Sequence, residues 1–343
     1  MHAKSKKTTG KLPGKAGKSV CLGIESTAHT FGAGIADSNG RILANERSAF
    51  RTKEGGIKPQ EAADYHLQNA VPVISKALEK SSLKIEDIDC VAFAQGPGLG
   101  PALKVGATAA RTLSLIHDLP LAGVNHCLAH IEIGRLLTGA KNPIVVYASG
   151  GNTQIIGLTK KHYAVFGETL DIGIGNLLDS FGRKLGLGFP AGPILDEWYF
   201  EGKNYIELPY SVKGTDLVFS GLQTAAEGKI GKVPEKDLAY SLLHTAFAML
   251  CEATERALAH TERNEVLLVG GVASSKALRG MLGTMCRERG AKLFVPEMQY
   301  CVDNGAMIAW QGLLEFTQGK RTKIAESTVR QDFRVEETEV SWA

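Results

Sequence analysis

Two histidines in the segment Asn125-His126-Cys127-Leu128-Ala129-His130 have the residue type and the spacing that could do chemistry. Residues i and i+4 share one face of a helix, so His126 and His130 could hold one metal ion between their imidazoles. Two histidines are an incomplete ligand set, and a further ligand must come from elsewhere in the chain. The alternative is a pair of ordinary histidines on a helix surface.

Asp303 is the best candidate for the third ligand. It opens the segment Asp303-Asn304-Gly305 ahead of the last predicted helix, where a carboxylate could instead act as the helix N-cap. Tyr147, at the end of a predicted strand, is a candidate weak fourth ligand or else a core or interface tyrosine. Such a site is open and rich in oxygen, so iron, zinc, manganese and magnesium all remain candidates.

Polar or glycine-rich turns follow four apolar segments and could bind phosphate. The N–H groups of such turns can approach phosphate closely, and helix N-termini favour negative charge. Each turn alone could be an ordinary tight turn, but four in this order favour a nucleotide site. They comprise residues 25–30, 96–100, 149–153 and 270–275.

Three aspartates stand near other glycine turns. Asp171, Asp179 and Asp196 could accept hydrogen bonds from ribose hydroxyls or hold a metal. The alternatives are helix capping for Asp171 and a solvated helix face for Asp179.

Two segments that carry these turns have the same predicted plan. Each has three strands, with a polar turn after the first strand, at 19–50 and at 143–169. Asn39-Gly40 predicts a tight hairpin between the second and third strands of the first copy. Two copies of one unit predict two related domains facing each other across a ligand cleft.

Strands and helices alternate through the rest of the chain, which predicts an α/β protein. Apolar periodicity places strands at 87–94, 121–125 and 265–270. It places helices at 59–80, 103–117, 175–185, 238–261, 275–289 and 304–318, with a further helix holding the two histidines.

Composition indicates a globular protein of two domains. The 343 residues are 44% hydrophobic and 22% charged. The six cysteines are scattered, which is typical of reduced thiols in a cytoplasmic protein. We find no apolar run long enough for a membrane span and no secretory signal, so we expect a cytoplasmic protein with no membrane contact.

The net charge of +3 is unevenly placed. Residues 1–18 hold six lysines and no acidic residue, so the remainder of the chain carries −3. This composition predicts a disordered basic tail. It would serve as a solubilising arm or make a weak contact with nucleic-acid phosphates.

Together these segments resemble the TsaD (OSGEP) family of tRNA N6-adenosine threonylcarbamoyltransferases. The form Glu25-Ser-Thr-Ala-His-Thr resembles the archaeal type, the catalytic subunit of the KEOPS complex. The resemblance runs in order from about residue 19 to 317. It is carried by residues 23–30, 95–100, 126–130, 147–154, 167–179, 186–193 and 303–306.

The resemblance implies two duplicated domains of the actin/Hsp70/sugar-kinase (ASKHA) fold, with a nucleotide and metal cleft between them. We expect a disordered tail at 1–18, lobes at 19–140 and 141–317, and a C-terminal tail at 318–343. The closing helix at 304–317 could pack back on the N-terminal lobe. The implied reaction moves a threonylcarbamoyl group from its adenylate to N6 of the adenosine 3′ of the anticodon, in tRNAs that read ANN codons (t6A synthesis).

The resemblance also implies site residues and cofactors. One divalent metal ion per subunit, iron by family with zinc or magnesium as alternatives, would be held by His126, His130, Tyr147 and Asp303. Threonylcarbamoyl-AMP or ATP in the cleft would contact Ser149, Gly150, Gly151, Asn152, Thr153, Asp179, Gly192, Asp196 and Ser275. The family usually has Asn where this chain has Ser275, and often Glu at Asp196.

The residues do not settle which group accepts the proton of the attacking amine. His29 and Glu25 are candidates, as are the substrate phosphate and a base bound to the metal.

The implied partners are tRNA and the KEOPS subunits. A small atypical kinase would bind the C-terminal lobe, and a small dimerising subunit would bind the N-terminal lobe. An apolar patch on helix 59–80 or 103–117 would fit the dimerising subunit.

Three alternative functions compete with this one. An ATPase or sugar kinase of the same fold would explain the glycine turns but not the histidine pair. A zinc metalloprotease needs HExxH, and Cys127 stands where the glutamate should be. A nucleotide-binding scaffold or DNA binder fits the lysine tail but not the negative body.

Overall fold

The computed structural model describes residues 18–52 and 56–342. The predicted lysine-rich tail therefore lies outside the described residues, except for Lys18, which pairs with Asp37. The first half of the chain contains β1 (Val20–Glu25), β2 (Thr30–Asp37), β3 (Ile42–Ala49), α1 (Pro59–Ser81), β4 (Cys90–Gly96), α2 (Gly100–His117), β5 (Leu121–Asn125) and α3 (His126–Thr138).

The second half has the same beginning and more helices. It contains β6 (Ile144–Ala148), β7 (Thr153–Thr159), β8 (His162–Glu168), α4 (Ile174–Lys184), α5 (Gly192–Glu201), β9 (Val212–Lys213), β10 (Asp216–Leu217), α6 (Ser220–Glu227), α7 (Glu235–Thr261), β11 (Glu265–Val269), α8 (Lys276–Glu288), β12 (Lys292–Phe294), α9 (Met298–Cys301) and α10 (Gly305–Thr317). Short 3₁₀ turns lie at Ile85–Asp87, Gly271–Ser274, Ile324–Glu326 and Val335–Glu337.

Two five-stranded sheets of identical topology form the frame. Their strand orders are β3-β2-β1-β4-β5 and β8-β7-β6-β11-β12. In each sheet the central strand pairs antiparallel with the strand that follows it and parallel with a later one. The predicted duplication of an α/β unit is therefore confirmed. The predicted Asn39-Gly40 hairpin also forms, with Gly40 at φ +78°.

Helices cover both faces of each sheet. Apolar residues of α1 and α2 pack on one face of the first sheet, where Leu22 and Ile24 point. Helices α3 and α10 lie between the two sheets. The outer face of the second sheet carries the largest core, formed with α4 to α8. Because strand side chains alternate, Cys21 points instead into the layer between the sheets.

The backbone of helix α10 packs directly against the backbone of the first sheet. A Cβ on Gly23 would lie 2.1 Å from the amide nitrogen of Ala309, and one on Gly34 would lie 2.1 Å from that of Ala306. Only glycine fits at these two strand positions. Because these two glycines have no side chains, α10 packs close to the sheet, and Asp303, just ahead of α10, lies close to the end of β1.

Residues 318–342, called here the C-terminal strap, run along the first lobe and end on the second. The amide of Thr322 donates to Leu121 of β5, and the amide of Val340 donates to Lys161 beside β8. The strap thus contacts both lobes.

Several short elements were not predicted from the sequence: α5, α6, the β9–β10 hairpin and β12. The strand predicted at 87–94 begins only at Cys90, because Ile85–Asp87 forms a 3₁₀ turn whose start is capped by the Asp87 carboxylate. Among the described helices, none is long and apolar enough to cross a membrane.

Candidate metal and nucleotide site

The two histidines lie in the first turns of α3, as the spacing predicts. Asn125 caps the helix, with its side-chain oxygen accepting from the Leu128 amide at 3.0 Å. The rings of His126 and His130 are buried, and their centroids are 4.8 Å apart. A helix N-terminus at the end of β5 therefore presents both imidazoles to one place.

Asp303 meets both imidazoles. Its Oδ1 lies 3.3 Å from His130 Nε2 and 3.5 Å from His126 Nε2. The alternative role of Asp303 as a helix cap is wrong, because Asn304 caps α10 by accepting from the Met307 amide at 3.0 Å. Burial acts to raise the Asp303 pKa, but the His130 hydrogen bond and the His126 charge outweigh it and lower that pKa.

The donor set fits a divalent metal ion. Ligand atoms at about 2.1 Å from an ion are separated by about 3.0 Å in octahedral and about 3.4 Å in tetrahedral geometry. The nitrogen–oxygen separations of 3.3 and 3.5 Å match the tetrahedral value. One ligand atom from each of the three residues lies within 4.8 Å of the others. Imidazole and carboxylate together suit iron, zinc and manganese.

Glu25 orients one of these histidines. Its Oε2 accepts from His126 Nδ1 at 2.8 Å, and its Oε1 accepts from the amide and hydroxyl of Thr27. The carboxylate is fully buried, and each oxygen is engaged. Holding the proton on Nδ1 leaves the Nε2 lone pair facing Asp303, as in carboxylate–histidine–metal arrangements. Burial acts to lower the His126 pKa, but Glu25 and Asp303 raise it to about 9.

This contact was missed from the sequence, although a signal existed. Glu25 ends β1 and His126 follows β5, and both strands run parallel to β4 in the same sheet. The carboxyl ends of parallel strands meet at one edge, so their next residues lie close together.

Tyr147 is buried beside the cluster, with its ring centroid 5.5 Å from that of His130. Its phenol lies near the side chains of Cys127 and Ser149. Burial raises the pKa of the phenol. Its role as a fourth metal ligand stays a prediction.

The turn at 149–153 stands next to the same helix. Asn152 Nδ2 lies 3.7 Å from Cys127 Sγ, and the Asn152 amide donates to Ser149 Oγ at 3.2 Å. The N–H groups of Gly150 and Gly151 are exposed and donate to no acceptor in the described part of the chain. Thr153 Oγ1 accepts from the amide at the start of α4 and fixes the base of the turn. The turn therefore offers two free donors.

The carboxylates of Asp179 and Asp171 accept hydrogen bonds from backbone amides at the starts of helices. Asp179 is half-buried rather than on a fully solvated face: it accepts from the Ala191 amide at 2.8 Å, and burial raises its pKa. This bond holds the start of α5, where Gly192 lies. Asp171 accepts from the amides of Phe219 and Ser220 at the start of α6, so its capping alternative is correct.

Asp196 and Ser275 are bound to each other. The Ser275 hydroxyl donates to Asp196, which also accepts from the amides of Lys276 and Ala277 at 2.9 and 3.2 Å. The pair sits at the N-terminus of α8, beside the turn at 270–275. A Cβ on Gly270, at φ +93°, would lie 2.4 Å from the Ala148 carbonyl, so this turn and the 149–153 turn are neighbours.

His29 reaches across the cleft to the other lobe. Its ring contacts Phe189 edge-on, with centroids 5.7 Å apart. The Phe189 amide donates to the Thr52 carbonyl at 3.3 Å. His29 is also close enough to Asp179 and Asp303 to act on their pKa values. Of the two candidate proton-accepting side chains, His29 is partly exposed and Glu25 is fully buried.

The turn at 96–100 does not present open amides. Gly98 N–H donates to the Gln331 carbonyl at 3.3 Å, and Gly100 N–H to the Gln331 side chain at 3.1 Å. A Cβ on Gly96 would lie 1.7 Å from the Arg330 carbonyl. These glycines admit the strap, so the expectation of a phosphate turn there is wrong.

Two lobes of one topology, with polar turns on either side of a buried helix N-terminus, define a protein of the ASKHA class. Solved structures agree. HypF from Thermococcus kodakarensis is 13% identical, with a TM-score of 0.63 over 91% of this chain and 49% of HypF. Component A of (R)-2-hydroxyglutaryl-CoA dehydratase from Acidaminococcus fermentans is 14% identical, with a TM-score of 0.55 over 88% of this chain and 98% of that one. At these identities the likeness shows the fold alone.

The chain belongs to the TsaD family, described as tRNA N6-adenosine threonylcarbamoyltransferase, whose profile matches residues 41–310. A relative of that name from Thermococcus sibiricus is 53% identical over 94% of this chain and 100% of its own. One from Archaeoglobus fulgidus is 51% identical over 94% and 99%. The "probable bifunctional tRNA threonylcarbamoyladenosine biosynthesis protein" of Methanothermobacter thermautotrophicus is 50% identical over 94% of this chain and 61% of its own.

Proposed function

We propose that this chain transfers a threonylcarbamoyl group from threonylcarbamoyl-adenylate to N6 of the adenosine 3′ of the anticodon, in tRNAs reading ANN codons. The ion that assists the transfer is held by His126, His130 and Asp303. The observation that carries the proposal is the convergence of these three side chains beside the free amides of a glycine turn, in a chain of the TsaD family.

The bond that forms joins the adenosine N6 to the carbamoyl carbon, and the bond that breaks joins that carbon to the AMP phosphate oxygen. A bound divalent ion would polarise the carbonyl or neutralise the leaving phosphate. The N–H groups of Gly150 and Gly151 supply donors for the oxyanion or the phosphate. Ser149, Asn152, Thr153, Asp179, Gly192, Asp196 and Ser275 complete the proposed adenylate site.

The proton of the amine is best assigned to His29 among the candidate side chains. Glu25 was the other, but its carboxylate is fully buried and both its oxygens are engaged. His29 is partly exposed at the cleft, between the two lobes. The imidazole can take the proton as the carbon–nitrogen bond forms.

The test is a reconstitution with unmodified tRNA, threonine, bicarbonate, ATP and the enzyme that makes the adenylate, read by nucleoside mass spectrometry. Wild-type protein should form t6A. The double variant His126→Ala/His130→Ala should lose both bound metal and activity while remaining folded. His260→Ala, an exposed histidine at the end of α7, is the matched control. Full metal occupancy in the double variant would contradict the site, and absence of t6A with wild type would contradict the function.

Iron is the metal favoured by the family resemblance, with zinc and magnesium as alternatives. Elemental analysis of protein purified without added metal, together with activity after removal and return of each ion, decides among them. The ion that restores activity at the lowest free concentration is the functional one.

The proposed dimerising partner would bind a groove between α1 and α2. Leu67 and Val71 are 70% and 72% exposed on α1, and Leu113 of α2 lines the same groove. An apolar patch of this kind fits a helical protein partner in KEOPS. Leu67→Asp with Val71→Asp should abolish binding of the purified dimerising subunit and leave metal content unchanged. Unchanged binding would move the interface elsewhere.

The proposed kinase partner would bind the C-terminal lobe. The bifunctional relative is consistent with such an association, because this chain spans only 61% of it. Mixing the purified subunits and mapping the amides of α4 to α8 that become protected tests the placement. Protection confined to the N-terminal lobe would contradict it.

A further inference from the structure

Asn125 joins the metal-binding helix to the C-terminal strap. It is fully buried at the end of β5. Its Oδ1 caps α3, and its Nδ2 donates to the carbonyls of Phe333 and Arg334 at 3.0 and 3.2 Å. One amide therefore holds the first turn of the helix and the strap together.

The strap is fastened independently to each lobe. On the first lobe, Gln95 Nε2 donates to the carbonyls of Glu326 and Thr328 at 3.1 and 2.8 Å. On the second lobe, the Val340 amide donates to the Lys161 carbonyl at 2.7 Å. Asn125 lies between these two anchors.

The strap also packs beneath the candidate site. Its Val335 and Val340 are buried in one apolar cluster with Cys127 and Leu128 of α3 and with Tyr147 of β6. The side chains that support the helix from below thus come partly from the end of the chain. Movement of the strap would change the packing around the first turn of α3.

We propose that Asn125 is a positioning residue, which couples docking of the strap to the placement of His126 for metal binding. The inference rests on the proposed metal site. His126 follows Asn125 directly, so its backbone is fixed by the cap and by the two strap carbonyls. By linkage, metal binding must stabilise the docked strap by the same free energy that the docked strap adds to metal binding.

The first test compares cobalt(II) affinity of wild type with Asn125→Asp, by competition with a chromophoric chelator. Aspartate keeps the acceptor for Leu128 and suits a helix N-terminus, but it turns an oxygen toward two carbonyls. The Kd for cobalt should rise about tenfold, which is the lower end of the range of about tenfold to hundredfold that follows loss of a group supporting a metal ligand. Asn125→Ser, which keeps a capping hydroxyl but is too short to reach the strap, should behave alike.

The matched control is Lys161→Ala. This side chain pairs with Glu339 of the strap on the surface, where both are exposed. An exposed pair contributes little, so the cobalt Kd should stay unchanged.

The second test measures hydrogen exchange of residues 326–342 with and without saturating cobalt. In wild type, cobalt should slow exchange of the strap amides, including that of Val340. In Asn125→Ser, this protection should be lost. A role in fold stability alone would lower Tm and leave the metal-dependent protection intact.

The outcomes separate this inference from the proposed function. If wild type binds no metal, the proposed metal site fails and this coupling fails with it. If wild type binds metal but both Asn125 variants keep the wild-type Kd, only the coupling is overturned. Strap exchange that is indifferent to cobalt in wild type overturns it as well, even where a variant does not fold.

Discussion

Replacing Glu25 by glutamine should weaken metal binding strongly. The carboxylate accepts from His126 Nδ1 at 2.8 Å, and both groups are buried. A hydrogen bond to a charged group contributes about 1.5–3 kcal/mol. Glutamine has one acceptor oxygen and no charge, so it cannot accept from both His126 Nδ1 and the Thr27 amide. At about 1.4 kcal/mol per factor of ten, loss of the bond to the charged group corresponds to about a tenfold to hundredfold rise in Kd. Losses of the same size follow removal of the groups that orient metal-binding histidines.

The size of this effect should depend on pH. Burial alone would lower the pKa of His126, but the negative charges of Glu25 and Asp303 raise this pKa to about 9. Below that pH a proton competes with the metal for the imidazole. Removing the Glu25 charge lowers the His126 pKa and weakens this competition. The loss should therefore be largest above pH 9 and smaller at pH 7.

The assay is cobalt competition at pH 7 and pH 9.5, with Thr27→Val as the matched control. That change removes the hydroxyl that donates to the other Glu25 oxygen and lies 3.4 Å from His126 Nδ1, but it leaves the hydrogen bond between Glu25 and His126 in place. Its loss of affinity should be smaller than that of Glu25→Gln. A wild-type Kd for Glu25→Gln at pH 9.5 would refute the reasoning, as would an equal loss in the two variants.

Three further predictions concern stability and RNA. Gly34→Ala places a Cβ 2.1 Å from the Ala306 nitrogen and should cost about 1–3 kcal/mol of unfolding free energy in urea; an unchanged midpoint would contradict it. Burial alone would raise the pKa of Asp171, but hydrogen bonds from backbone N–H groups lower this pKa to about 2. The ionised Asp171 therefore stabilises the fold above about pH 4, and this contribution is lost toward pH 2. The Tm deficit of Asp171→Asn should therefore shrink between pH 4 and pH 2, and a constant deficit would exclude this cause. Deleting residues 1–18 should weaken tRNA affinity and flatten its salt dependence, whereas superimposable salt curves would leave the tail without this role.

Much of the frame could be predicted from the sequence because its signals are local. The histidine spacing, the Asn39-Gly40 hairpin and the apolar strands each depend on a few adjacent residues. The repeated plan then followed from comparing two such segments. Helices α5 and α6 were missed because they are short, and glycine or serine starts them without a strong apolar period.

The candidate site was harder to predict where its contacts cross the chain. The separation of His126 from Glu25 along the sequence is 101 residues, and that of Asn125 from Phe333 is 208. No local pattern encodes such a pairing. The roles of Asp303 and Asn304 were ambiguous for a different reason, since both residue types cap helices well. Only the observed bond to the Met307 amide assigns the cap to Asn304.

The position of α10 has a consequence for synthesis on the ribosome. The strands of the first sheet end at Asn125, but the helix that covers their glycine face begins roughly 180 residues later, at Gly305. At about 5–20 residues per second, that face waits about 10 to 40 seconds for its cover. During this interval the nascent sheet exposes apolar backbone-lined surface, which is the kind that chaperones bind. We expect the N-terminal half alone to be insoluble. We also expect a nascent chain to complete its fold only after α10 has emerged from the ribosome.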